Sequence, residues 1–372
     1  ALLRLLTSGA PAAGIRRLLD SHGNADVALR AGVRDWASHG LDASTCNAIR
    51  NPDPILLTRG QAWLASPSHE LIGWSQADYP PLLRRIPSPP PMLFVAGDAG
   101  LLWRPTIAIV GSRAATAGGC TNAAIFAEAL SRNGLCIASG LAAGIDGAAH
   151  VATLEAEGAT VAVLGTGPDI AYPVGHRPLL ERIVARGCVV SEHLPGTRPL
   201  RQYFPSRNRI LAGLSLGTLV VEAAERSGAL ITARLSAEVG REVFALPGSI
   251  HNPMARGCHR LIREGAQLVE SPDEVLEVLA PLAIDLAKAL RGELEACCAT
   301  PPPALPAPKQ AGLPIDPDYN RLWQALGHDP TGMDELGQRT GLTTAELSAM
   351  LLTLELEGRV AAEHGRYSRI GP

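Results

Sequence analysis

The stretch TIAIVGSRAATAGGCTNAAIFAEALSRNGLCIASGLAAGIDGAAH, Thr106–His150, decides the fold class. It opens with a short apolar, β-branched run that breaks off at Gly111-Ser112-Arg113. Small apolar residues at helical spacing follow (Ala123, Ala124, Ala127, Leu130), then a second short run, Leu135–Ala138, and then SGLAAGIDGAAH over Ser139–His150. Strand, small-residue turn and helix, twice over, predict the opening of a doubly wound parallel sheet. Both turns, Gly111–Arg113 and the one at Ser139-Gly140, fall at carboxyl ends of strands, where such sheets bind ligands. Helix N-termini there offer unpaired N–H groups and positive dipole ends to anions. Gly111 permits close backbone approach, Ser112 adds a hydroxyl, and Arg113 adds a bidentate fork. The chemistry predicted is phosphate recognition.

Downstream the alternation continues. Strands are expected at Thr160–Leu164, Cys188–Ser191, Thr218–Val221, Glu242–Leu246 and Gln267–Val269. Helices are expected between them at Arg177–Arg186, Ser206–Leu214, Ala229–Val239 and Cys258–Glu264. Upstream, Tyr79–Gly97 is proline-rich and predicts an extended, non-helical connector ending in a strand at Met92–Val95. Residues 1–75 read as short helices closed by Gly9, Gly23, Gly32 and Gly40, a small bundle of helix-hairpin-helix or SAM type or a plain packing module. Helical character continues over 272–295, and Ala299–Gly312 (ATPPPALPAPKQAG) reads as a stiff proline-rich linker. Beyond it, Tyr319–Leu326, Met333–Thr340 and Thr343–Glu357 read as helices, with Thr331 and Thr343 at N-cap-like positions and a hairpin through Tyr367-Ser368, together a winged helix. The predicted division is 1–75 helical, 76–290 extended Rossmann-like α/β core, 291–312 linker, and 313–372 winged helix.

Composition narrows the partners. A net charge of -3 means that any nucleic-acid surface is a local patch. Only Lys288 and Lys309 are lysines, so nearly every basic contact is an arginine fork. The seven cysteines stand in no CxxC or Cys/His ligand spacing, so small core residues are expected rather than a metal or disulfide framework. The chain shows no signal-peptide pattern and no membrane-length apolar run, and a cytoplasmic protein with no membrane contact is expected.

The segment RPLRQYFPSRNRI is the richest in chemistry. Arg198, Arg201, Arg207 and Arg209 alternate with Tyr203 and Phe204, and Asn208 sits between two arginines. Guanidinium groups can track phosphates while a ring stacks on bases, which is how single strands are held without sequence readout. Ser227-Gly228 and Ser249 add small polar groups near the same edge. The dinucleotide pattern GxGxxG is absent at the first turn and no Walker sequence occurs, so no cofactor is expected. Asp146 and His150 stand four apart and could act as acid and base. The simpler expectation is that Asp146 caps the helix start and His150 packs on the sheet. Glu192 and Glu222, at strand ends, suit catalysis, a turn, or an arginine partner. No nucleophile–base–orienter set assembles, so a non-enzyme is expected.

With these residues in hand, the chain resembles the DNA processing protein A (DprA, also called Smf) family. Eight blocks in order carry the resemblance: YPPLLRRI, IAIVGSRAAT, IASGLAAGIDGAAH, VLGTGPDIAYP, SEHLPGT, FPSRNRILAGLS, VVEAAERSGALITARLSAEVGREVFALPGSI and GCHRLIREGA. The resemblance implies an extended Rossmann fold that binds single-stranded DNA as a homodimer. It also implies delivery of RecA to DNA taken up during natural transformation, with protection from nucleases. DNA contacts would come from Ser112 and Arg113, the Ser139-Gly140 turn, and the block holding Phe204, Arg207, Asn208 and Arg209. Many relatives carry a lysine directly after the YP of the third-strand block; here Val174 follows Pro173, leaving that contact to His176 or Arg177. The competing class is a nucleotide-processing phosphoribohydrolase of the LOG or lysine-decarboxylase-like type. Its PGGxGTxxE signature is absent, since Ser249-Ile250 follow Pro247-Gly248.

The winged helix pulls against the simplest analogy. Its third helix, Thr343–Glu357, contains no Lys or Arg, and residues 312–372 hold five arginines against nine acids. A recognition helix of that sign repels phosphate instead of releasing counterions. The segment is therefore expected to be a protein-interaction module. A chain ending near Leu290 should keep most single-strand affinity in a gel shift. The isolated 313–372 segment should show no duplex binding at physiological salt, and micromolar or tighter duplex binding would overturn this reading.

Overall fold

A computed structural model of the chain describes residues 1–299, 317–326, 331–356, 360–363 and 366–369. These divide into two compact units, Ala1–Gly292 and Glu293–Pro372. The first begins with six short helices: α1 Leu2–Thr7, α2 Ala12–His22, α3 Ala25–Ala31, α4 Val33–Ser38, α5 Ala43–Arg50 and α6 Pro54–Leu64. Asn24, Asp42 and Asp53 cap α3, α5 and α6 by accepting backbone N–H bonds, and Gly23 and Gly32 end α2 and α3 at positive φ. Leu5, Leu18, Leu19, Trp36 and Ile49 form the core of this module, which reaches Met92.

Strand β1, His69–Gly73, was not foreseen from sequence, where residues up to 75 read as helical. It pairs antiparallel with β2, Met92–Gly97, and so joins the helical module to the sheet. Between them Pro81–Arg84 forms one helical turn, α7, correcting the expectation that the prolines exclude helix there. Pro81 sits in the first turn, where a missing N–H costs nothing and φ is already near the helical value.

The core follows as β3 Thr106–Val110, α8 Ala117–Arg132, β4 Cys136–Ser139, α9 Ile145–Glu155, β5 Thr160–Leu164, α10 Arg177–Arg186, and β6 Cys188–Ser191. Then come α11 Tyr203–Leu214, β7 Gly217–Val220, α12 Gly228–Glu238, β8 Glu242–Ala245, α13 Arg256–Arg263, β9 Gln267–Leu268, and α14 Pro272–Ala299. The nine strands run in the order β1-β2-β6-β5-β4-β3-β7-β8-β9, parallel from β6 to β9. Strand order reverses at β3: the chain winds outward through β4, β5 and β6, then returns to place β7 on β3's other side. The ends of β3, β4 and β7 therefore surround a topological switch point.

Period-two alternation divides the core between two faces. Ile107 and Ile109 of β3 pack beneath Phe126 and Leu130 of α8 and Leu279 of α14. Ala108 and Val110 pack with Ile210 and Leu214 of α11, Ala233 of α12 and Cys258 of α13. Each such fully buried isoleucine contributes roughly 1.5–3 kcal/mol. Cys46, Cys136, Cys188 and Cys258 are buried and unpaired, as small core residues.

The second unit holds α15 Pro317–Ala325, β10 Thr331–Gly332, α16 Met333–Thr340, α17 Thr344–Leu356, β11 Val360–Glu363 and β12 Arg366–Arg369. β12 pairs with both β10 and β11, completing the winged-helix arrangement over a core of Leu322, Leu336, Leu347, Leu351 and Leu354. Thr343 and Glu346 form the expected capping box: the Thr343 hydroxyl accepts from the Glu346 N–H, while the Thr343 N–H donates to the Glu346 carboxylate. Thr331 is not an N-cap: it pairs with Tyr367 in the sheet, and Gly332 precedes α16. Helix α14 continues through Ala299, correcting the expected start of the linker at residue 291, because local helical periodicity runs past that point; the remainder of the expected linker lies outside the described residues.

His150 does pack on the sheet. It is fully buried on α9, 2.7 Å from the Thr160 hydroxyl. Thr160 gives its own proton to the Ile137 carbonyl, so the imidazole donates from Nδ1, while its buried Nε2 has no hydrogen-bond partner among the described residues. Burial, with lesser repulsion from His176 and Arg207, pushes its pKa down to about 3. Below the ordinary value of 6.5 the unfolded chain binds a proton that the folded one refuses, so stability is full above that value and falls as pH drops toward 3. By pH 4 this group should cost about 3 kcal/mol. Urea unfolding between pH 7 and pH 4 should show a correspondingly shallower pH dependence in His150→Gln; equal slopes would contradict the assignment.

Candidate nucleic-acid interface

The loops after β3, β4 and β7 are knitted by backbone. The Ser112 N–H donates to the Glu222 carbonyl at 2.7 Å, and the Ser112 carbonyl accepts from Ile145 at 3.3 Å. At Gly111 a Cβ would meet Ile145 at 2.5 Å and the Glu222 carbonyl at 2.9 Å. The glycine is thus required by packing between loops, where sequence had suggested approach to a ligand. Gly144, at φ +77°, comes equally close: a Cβ there would lie 2.2 Å from the Ser112 carbonyl.

The Glu222 carboxylate accepts from the Thr116 N–H at 2.9 Å, the Thr116 hydroxyl at 2.7 Å and the Asn252 amide at 3.3 Å. It occupies the start of α8, where a negative charge is favoured by the helix dipole. The first turn's helix N-terminus is therefore already filled by an anion of the protein itself. The N-terminus of α12, at Ser227-Gly228, lines the cleft instead; Gly228 is exposed, with nothing within 4 Å of its would-be Cβ. Ser227 caps this helix by accepting from the Ala229 N–H.

The cleft between these elements measures about 390 Å³ and is lined by Gly111, Ser112, Arg113, Phe204, Arg207, Asn208, Ser227 and Gly228, with Asp146, Ile231, Thr232 and Met254. Eight of the residues expected from sequence thus come together. Arg207 is buried on α11, and its guanidinium lies over Gly140, where a Cβ would be 1.7 Å from Nη1. Burial lowers its pKa, which nearby Asp146 counteracts and Arg113 reinforces. Its Nε has no hydrogen-bond partner among the described residues.

Asp146 does not cap α9, whose N-cap is Gly144. Its carboxylate turns back to accept from the Gly140 N–H at 3.1 Å and the Ala142 N–H at 3.4 Å. Those backbone donors belong to the turn, and the short reach from the first helical turn favours them. Burial raises the Asp146 pKa against the pull of Arg207. Arg113 is exposed, with its guanidinium carbon 5.3 Å from the Phe204 ring centroid.

Four expected residues stand elsewhere. Ser139 is fully buried and donates to the Ile109 carbonyl, and Gly140 lies behind Arg207. Arg209, two residues from Arg207 and so on the opposite side of the helix, pairs with Glu192 and donates to the Ser88 carbonyl. Arg177 is exposed, pairs with Glu181, and borders a separate depression with Trp63 and Val174. Of the two replacements for the relatives' lysine, His176 reaches the Leu141 carbonyl at 3.0 Å. Sequence reasoning had left Glu222 between catalysis and structure and had not singled out Met254 or Thr232. Only spacing in three dimensions assigns them. A larger depression of about 960 Å³ lies between α12 and α13, where Arg234 pairs with Glu238 and Arg260 with Glu264, while the half-buried Arg241 donates to the Leu82 carbonyl and keeps an Nε without a partner among the described residues.

Comparison with known proteins follows the same elements. The sequence profile of DNA recombination-mediator protein A matches residues 70–280, and that of the DprA winged helix domain matches residues 300–366. Protein Smf from Escherichia coli is 41% identical over 309 residues, covering 83% of this chain and 79% of that one. DprA from Streptococcus pneumoniae is 40% identical over 280 residues, 74% of this chain and 96% of its own. The X-ray structure of that protein superposes with a TM-score of 0.64 at 38% identity, covering 74% of this chain and 96% of its own. DNA processing protein A from Helicobacter pylori, whose structure was described for its single-stranded DNA binding mode, superposes at 0.52 with 26% identity over 57% of this chain and 96% of that one. On its sequence and its fold alike, the chain belongs to the DNA recombination-mediator protein A (DprA/Smf) family.

Proposed function

We propose that this protein is a non-enzymatic mediator that binds single-stranded DNA in the switch-point cleft, protects it and loads RecA onto it during natural transformation or homologous recombination. The observation that carries the reading is a buried guanidinium, Arg207, with an unpartnered Nε, facing a cleft that also holds Arg113, Phe204 and the α12 N-terminus. Phosphate oxygens satisfy such donors, and a half-exposed ring beside them suits an unstacked base. The Helicobacter pylori relative's single-stranded DNA binding supports the same ligand. A homodimer, the usual symmetric assembly, is the proposed oligomer. The 1–75 module, the proline-rich linker beyond Ala299 and the 313–372 winged helix are proposed as accessory parts, the last a protein-interaction module.

The roles of the two cleft arginines differ. Arg113 is exposed, so Arg113→Ala should leave folding intact, weaken single-strand binding and flatten the log K against log salt slope by roughly 0.7. Arg207→Ala should do the same and also lower the melting temperature, because it strands the buried Asp146 carboxylate without its cation. Fluorescence anisotropy across a salt series reads both. Binding of Arg113→Ala indistinguishable from wild type would place the strand elsewhere, and release of free base from nucleoside monophosphates would favour a phosphoribohydrolase.

A further inference from the structure

Tyr172 is accounted for neither by core packing nor by the phosphate contacts above. It stands in the loop after β5, directly before Pro173, with 41% of its surface exposed. Its hydroxyl makes no hydrogen bond among the described residues, so the protein contacts this side chain through the ring. What holds the ring is Phe204, with centroids 5.2 Å apart and planes tilted by 46°. Phe204 in turn carries the Arg113 guanidinium at 5.3 Å. Arg113, Phe204 and Tyr172 thus form a continuous series leading from the cleft to the loop after β5.

The loop itself, Gly165–Pro173, contains no basic residue, and its one acid, Asp169, accepts from the Gly196 N–H. Downstream, Val174 is 79% exposed and Arg177 is paired with Glu181. This end of the series therefore offers a π-face and apolar surface with little charge to track a phosphate. That is the complement of a base. The tilt between the two rings suits successive bases splayed apart, as in an unstacked single strand, and not the parallel planes of a duplex.

We infer that Tyr172 is a second base-stacking position: a strand whose phosphates meet Arg113 and Arg207 lays one base at Phe204 and a neighbouring base on Tyr172. The inference rests on the proposed single-strand binding and adds a contact to it. Binding of labelled oligothymidylate, measured by anisotropy over a salt series, tests it. Tyr172→Ala should weaken binding about tenfold, the scale of one base–aromatic stack, with the salt slope unchanged. Tyr172→Phe should restore wild-type binding, since the hydroxyl is unused. An oligonucleotide with abasic sites tests the same contact on the wild-type protein, independently of any folding defect. It should bind wild type and Tyr172→Ala alike. Wild-type binding retained by Tyr172→Ala, a flattened slope, or Tyr172→Phe binding as poorly as Tyr172→Ala would each overturn the stacking role. A wild-type protein that binds no single strand would instead overturn the proposed function itself.

Discussion

The buried contact of Arg207 with the Ser139-Gly140 turn is the constraint around which the cleft is organised. A guanidinium taken out of water needs compensation. Here the compensation comes from Asp146, whose own carboxylate is held by two backbone N–H groups of the same turn. The turn therefore brings its backbone against the arginine, and a Cβ at position 140 would have to displace the buried guanidinium. Gly140, Asp146 and Arg207 form one unit contributed by β4, α9 and α11. Burial works against both charges, and their mutual attraction together with the turn's backbone N–H groups opposes it.

The same economy shows in how helix N-termini are used. Doubly wound sheets direct several of them toward the carboxyl edge, and each is a potential anion site. Glu222 fills that of α8 and is itself satisfied by Thr116 and Asn252. The N-terminus of α12 is left lining the cleft beside Arg113 and Arg207. One terminus is closed by an internal carboxylate, while the other, capped by the Ser227 hydroxyl, borders the cleft.

Much of this was legible in the sequence. The parallel strands at Thr160–Leu164 and Cys188–Ser191 and helix Arg177–Arg186 follow from continuous apolar runs and 3.6-residue periodicity, both local properties. The capping box at Thr343 and Glu346 is likewise local, since three residues suffice to define it. Strand His69–Gly73 was missed because an edge strand of mixed burial carries little pattern of its own and exists by pairing with Met92–Gly97. The helical turn at Pro81–Arg84 was hidden because proline composition does not tell a first-turn proline from an interior one.

For the site, sequence by itself determined which residue types gather at the strand ends: small residues, arginines and rings. Tertiary structure decided which of them face one another. Arg207 and Arg209 are indistinguishable as letters two apart, yet a helix turns them to opposite sides, one to Gly140 and the cleft, the other to Glu192 and Ser88. Gly111 and Gly140 are both turn glycines in the sequence, and only packing shows that one makes room for Ile145 and the other for a guanidinium. Periodicity and turn chemistry act over a few residues and can be read along the chain, whereas burial and pairing of charges are set by segments far apart in it.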